Sequence, residues 1–137
     1  MAGIITNGMQ PYITQTQYTR DELLWGQCKK RGAVDSVCRD AIKREHDHYW
    51  QVCCQYETPR RCVKLLETEV VQDFMPPFQT DEECYEKCIE RYSHKSCKKS
   101  LRYNHNEFIE YCTKVALISE GECSKRLREE IVKGFKP

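Results

Sequence analysis

CRDAIKREHDHYWQVC (residues 38–53) and CKKSLRYNHNEFIEYC (residues 97–112) are two versions of one segment. Each holds fourteen residues between two cysteines, with an aliphatic residue fifth, a histidine ninth and an aromatic twelfth. Neither contains Gly or Pro. At 100° per residue, Cys38, Ile42, His46, Tyr49 and Cys53 fall within an arc of about 80°, and Cys97, Leu101, His105, Phe108 and Cys112 fall on the same arc. Charged residues such as Arg39, Asp40, Lys43, Arg44 and Asp47 lie off it. An apolar stripe with polar flanks at this period is an amphipathic helix.

The likeness extends outward from these segments. The first half runs Cys28, Cys38, Cys53, Cys62, with nine, fourteen and eight residues between cysteines. The second runs Cys88, Cys97, Cys112, Cys123, with eight, fourteen and ten. Thr19 precedes Glu22, and Thr80 precedes Glu83, by the three residues of a capping box. The sequence therefore predicts a tail at 1–18, one repeat at 19–74, a linker at 75–79 marked by Pro76 and Pro77, and a second repeat at 80–137.

Helix geometry constrains the bridges. Within one helix Cys38 and Cys53 would stand about 22 Å apart, beyond disulfide reach. Gly32, Pro59 and Gly121 lie in the shorter intervals, which therefore hold the turns. The expected pairs are Cys28–Cys38, Cys53–Cys62, Cys88–Cys97 and Cys112–Cys123, each crossing one bend. The fold class expected is all-α: two tandem disulfide-stapled helical-hairpin repeats, with helices over 20–29, 36–55 and 61–74, then 81–92, 96–115 and 122–133. The third helix has its own stripe in Val63, Leu66, Val70 and Phe74. Cys54 and Cys84 fall outside the eightfold scheme. They could bond to each other, which is the favoured expectation, or stay free, and Cys54 could replace Cys53 as the partner of Cys62.

Composition bounds the function. Ten cysteines in 137 residues fit an oxidising compartment. The net charge of +1 points neither to nucleic acid nor to an acidic membrane surface. No run of eighteen apolar residues predicts a membrane span. The first eighteen residues have neither the basic start and apolar run of a secretory leader nor an Arg-rich transit pattern, so none is expected.

CKKRGAVDSVC (28–38), YWQVCCQYETPRRC (49–62) and CTKVALISEGEC (112–123) together resemble the CHCH, or twin Cys-x9-Cys, family of the mitochondrial intermembrane space. The resemblance implies import by the disulfide relay of that compartment without a cleaved presequence, and two nested bridges joining a helical hairpin. The duplicated eight-cysteine arrangement is similar to that of an accessory subunit of respiratory complex I. The function implied is a non-catalytic structural subunit on the intermembrane-space face of a respiratory complex, peripheral on the inner membrane, whose partners are other protein subunits. Tyr12, Tyr18, Phe78 and Phe135 are the candidate exposed anchors.

Other readings are weaker. His46 and His105 share a stripe with cysteines, but zinc signatures such as Cys-x2-Cys pairs are missing, so each reads as a hydrogen-bonded packing residue. The vicinal Cys53 and Cys54 evoke soft-metal carriage, which would make the chain an assembly factor or metallochaperone of the same compartment. Cytochrome c oxidase and ATP synthase are alternative hosts, and a secreted cysteine-rich effector is a further alternative. CYEKC (84–88) is a lone Cys-x3-Cys, and the basic runs at 29–31 and 98–99 read as solvated surface. With no phosphate-binding glycine loop, nucleophile elbow or His-Glu-x2-His, no catalytic, cofactor-binding or metal residue is expected.

Overall fold

The computed structural model describes residues 20–137, so the expected tail, Tyr12, Tyr18 and the Thr19 cap lie outside the described residues. The described residues contain helices and bends only. They are α1 (Arg20–Lys30), α2 (Asp35–Cys53), α3 (Pro59–Leu65), α4 (Asp81–Ile89), α5 (His94–Lys114) and α6 (Glu120–Arg126). α3 continues as a π-helical turn over Leu66–Val71, and α6 does the same over Leu127–Val132. The chain divides into two compact units between Pro76 and Pro77. Each unit is three helices folded back and forth, and in each the π-helical turn returns to pack on the first two helices.

All four bends are stapled. Cys28–Cys38, Cys53–Cys62, Cys88–Cys97 and Cys112–Cys123 are bonded, with Cα–Cα distances of 5.7–6.0 Å. Each bridge joins sequence neighbours across one bend, so the nested pairing that the CHCH resemblance implies is not formed. The cause is local. Gly32 takes a φ of 87° between Cys28 and Cys38, a conformation that most side chains resist, and so separates those cysteines onto two helices. Thr58 and Ser119 cap α3 and α6 by accepting hydrogen bonds from the Arg61 and Glu122 amides, which starts a new helix just before Cys62 and Cys123.

The inward stripe of the long helices is as the sequence predicts at most positions. Cys38, Ile42 and His46 are buried on α2, and Cys97, Leu101, Phe108 and Cys112 on α5. Tyr49, Cys53 and His105 are only half-buried.

The third helices depart from expectation. They begin two residues early, at Pro59 and Glu120, and the first ends at Val71 rather than 74. In the last turn the Gln72 amide donates to the Glu67 carbonyl and the Lys133 amide to the Arg128 carbonyl, five residues back. The wider turn slips the helical phase. Val71 therefore joins Leu66 and Val70 in the core, while Val63 is exposed and Phe74 only half-buried. Gln72 and Lys133 then take left-handed φ values of 45° and 50° and stop the helix.

α4 opens with a complete capping box. Thr80 Oγ1 accepts from the Glu83 amide at 3.2 Å, and a Glu83 carboxylate oxygen accepts from the Thr80 amide at 2.9 Å. The bond from the Thr80 backbone, followed by that from its hydroxyl, holds the Glu83 carboxyl below its ordinary pKa. The carboxylate's contribution is therefore complete above the unfolded value of about 4.3 and is lost as pH falls through the lowered folded value. Protection of the first-turn amides of α4, measured against intrinsic exchange at each pH, should fall over that acidic interval, and Glu83→Gln should remove the step.

Candidate functional site

The buried polar residues of the described chain are three: Asp21, His46 and Asp81. Asp21 belongs to α1 and His46 to α2. His46 Nε2 donates to a carboxylate oxygen of Asp21 at 2.6 Å, with both side chains nearly sealed from solvent. The second unit repeats the arrangement. His105 Nε2 lies 2.7 and 3.0 Å from the two carboxylate oxygens of Asp81, with the imidazole 27% exposed and the carboxylate 4%. Each repeat thus carries an Asp–His clasp between its first two helices.

The clasp follows from the bridge. Asp21 and Asp81 lie seven residues before Cys28 and Cys88, and His46 and His105 lie eight residues after Cys38 and Cys97. Measured from the staple, the two arms are about 10.5 Å and about 12 Å of antiparallel helix. Seven residues fall about 20° short of two turns and eight pass them by about 80°, so each Asp lies over its cysteine and each His at the other edge of the inward stripe. The histidines are hydrogen-bonded packing residues, as the sequence predicts. Asp21 and Asp81 are the residues that the reading missed. Their signal was the matched offset from the cysteines, while an apolar stripe on α1 or α4 was not there to draw attention to them.

Surrounding chemistry is modest. A cleft of about 220 Å³ opens beside the first clasp, lined by residues that include Arg20, Asp21, Leu24, Tyr49 and Val70. That is below the usual size of a small-molecule site. Burial, followed by the Glu69 carboxylate, raises the Tyr49 phenol above its ordinary pKa. Arg20 sits 5.8 Å from the Tyr49 ring and 3.7 Å from Glu45 at the solvent edge. Among the described residues no three His, Cys, Asp or Glu side chains are grouped to hold a metal ion. The His46 and His105 clasps each bring together two such groups.

Cys54 and Cys84 lie outside the bridges, so the expected fifth bond between them is not formed. Cys53 takes Cys62, which leaves Cys54 past the end of α2, exposed, as its C-cap. The vicinal pair therefore offers one thiol, where soft-metal carriage wants two. Cys84 is half-buried on α4 and donates to Gln79 Oε1 at 3.3 Å. Desolvation, then the Asp81 and Glu83 carboxylates, raise its thiol above the ordinary value.

Two expected anchors also turn inward. Phe78 packs edge-on against Phe108 and Tyr111, with centroids 5.3 and 6.0 Å away. Phe135 lies 5.7 Å from the Tyr85 ring. Both are half-buried because the chain folds back over α5 and α4, so neither is a free aromatic for a partner. No helix of the described residues is long and apolar enough to cross a membrane. No protein-family model, curated protein or solved structure matches the chain.

Asp21→Ala should cost about 3 kcal/mol in denaturant unfolding, since it strands a buried imidazole. Asp81→Ala should cost less, because His105 can reach water. Asp21→Ala combined with His46→Ala should be less harmful than the two single losses added, the mark of a coupled pair. In unreduced protein, iodoacetamide should label Cys54 first and Cys84 slowly, with the Cys84 rate rising as pH is raised. Labelling of the other eight would refute the bridge pattern.

Proposed function

We propose that the protein is a non-catalytic brace: an accessory subunit of a mitochondrial inner-membrane respiratory-chain complex, with complex I the favoured host. In this reading it sits on the intermembrane-space face, enters through the disulfide relay, and holds neighbouring subunits at fixed spacing. The observation that carries the proposal is the use made of sulfur and buried polar groups. Four bridges and two Asp–His clasps join helix to helix, and each of these groups is occupied by a structural partner.

Two further points support it. A stapled helical frame keeps its shape without a large core, which suits a chain of this size in an oxidising compartment. The cysteine spacing resembles that of the CHCH family, whose members work in that compartment. Subunit contact would then fall on surfaces other than Phe78 and Phe135.

Native purification of the tagged protein from mitochondria, followed by identification of bound proteins, tests the proposal. Respiratory-complex subunits should co-purify in fixed ratio. Recovery as a lone monomer, or with copper or zinc bound at stoichiometric level, would overturn the brace reading.

A further inference from the structure

The two repeats differ most in charge at the start of their long helices. In α2 the first turn carries Asp35, which pairs with Lys29. In α5 the first turn carries no acid. Residues 91–103, RYSHKSCKKSLRY, hold five Lys or Arg and no Asp or Glu. The remainder of the chain, with 17 basic and 21 acidic residues, is net negative.

Three of the five cations share one helical face. Lys95, Lys99 and Arg102 follow the i, i+4, i+7 spacing of a single helical stripe, opposite the buried Cys97, Leu101 and Phe108. Lys98 flanks that stripe, and Arg91 lies in the bend before α5. All five are exposed, and none forms an ion pair among the described residues. Like charges one turn apart repel, and cations oppose the positive N-terminal end of the helix dipole. The fold gains nothing from this arrangement; an anionic surface would.

Apolar and aromatic groups are interleaved with the charge. Tyr92 in the bend is 63% exposed, Tyr103 on α5 is 69% exposed, and Ile89 at the end of α4 is 42% exposed. Aromatic rings with a polar tip, an aliphatic side chain and long cationic stems are the groups that settle at a bilayer interface. Three of the five cations are lysines, point charges suited to a diffuse anionic surface, whereas a fixed protein carboxylate is better held by the arginine fork.

We infer that the α4–α5 bend and the first half of α5 form a docking surface for an anionic phospholipid bilayer. The inference goes beyond the brace proposal and does not depend on which complex hosts the chain.

Co-sedimentation of the full oxidised chain with phosphatidylcholine vesicles, with and without phosphatidylglycerol, tests it. Binding should require the anionic lipid and weaken as salt is raised. Each cation near the surface contributes about fivefold to binding, so reversing Lys95, Lys99 and Arg102 to Glu should lower affinity by about a hundredfold or more. Tyr92→Ser with Tyr103→Ser should weaken binding severalfold while leaving its salt dependence in place. Lys64→Glu, exposed on the first unit, should change little. The altered residues are solvent-facing, and mapping the four bridges in each variant keeps loss of fold separate from loss of the surface. Equal binding to both vesicles, no binding to either, or full binding by the triple variant would overturn the inference. Binding to polyglutamate without binding to vesicles would overturn it in favour of an acidic protein partner.

Discussion

The opening helix of each repeat is fastened at two points, and the remaining packing follows from that. α1 buries only Asp21 and Cys28, and α4 fully buries only Asp81. Neither helix has the broad apolar face by which a short helix usually docks. The bridge fixes one end against the neighbouring helix, and the Asp–His clasp fixes the other two turns away. Two separated attachments set both the register and the rotation of a helix, which one attachment does not. A disulfide closing about ten residues contributes about 3 kcal/mol by restricting the unfolded chain. The clasp contributes differently. A buried hydrogen-bonded pair adds modestly to stability, yet stranding either partner is costly, so the clasp penalises any other register.

The eight bridge cysteines and the all-helical architecture were legible because helix rise is a hard constraint. Sixteen residues without Gly or Pro cannot bring Cys38 to Cys53, so the sulfurs had to cross the bends. The clasp partners were less legible. An acid in the first turn of a helix is so common as a dipole partner that Asp21 and Asp81 stood out only against the cysteine positions. The π-helical turns were hidden for another reason. Leu66 and Val70 satisfy α periodicity as well as the observed geometry, and the burial of Val71 with the exposure of Val63 distinguishes the two. Phe78 and Phe135 were misjudged because linker and terminal aromatics read as free until the path of the backbone over α5 and α4 is known.

Duplication makes the chain its own comparison. Both repeats keep the bridges, the clasp, the serine or threonine caps at the third helix and the left-handed stop after a π-helical turn. What both keep is what closes the three-helix unit. The differences lie outside that frame: Cys54 on one side and Cys84 on the other, Asp35 against the uncompensated cations of α5, a sealed His46 against a half-buried His105. The two units therefore share a frame and differ at the surface, with the second carrying the stronger charge feature.

The same frame couples oxidation to folding. An isolated helix of eleven residues such as α1, or nine such as α4, is marginal in water. With its bridge reduced, α1 would be held by the clasp at one end, and that bond must form while desolvating a carboxylate and an imidazole. The helix must already be level with its neighbour for the two groups to meet. Bridge formation supplies that alignment, because about two turns of helix on either side of the sulfurs carry Asp21 to His46 without further search. In this order the sulfurs come first and the buried polar pair second. A reducing compartment would remove the step on which the other depends, which is why the proposed location and the proposed role rest on the same eight atoms.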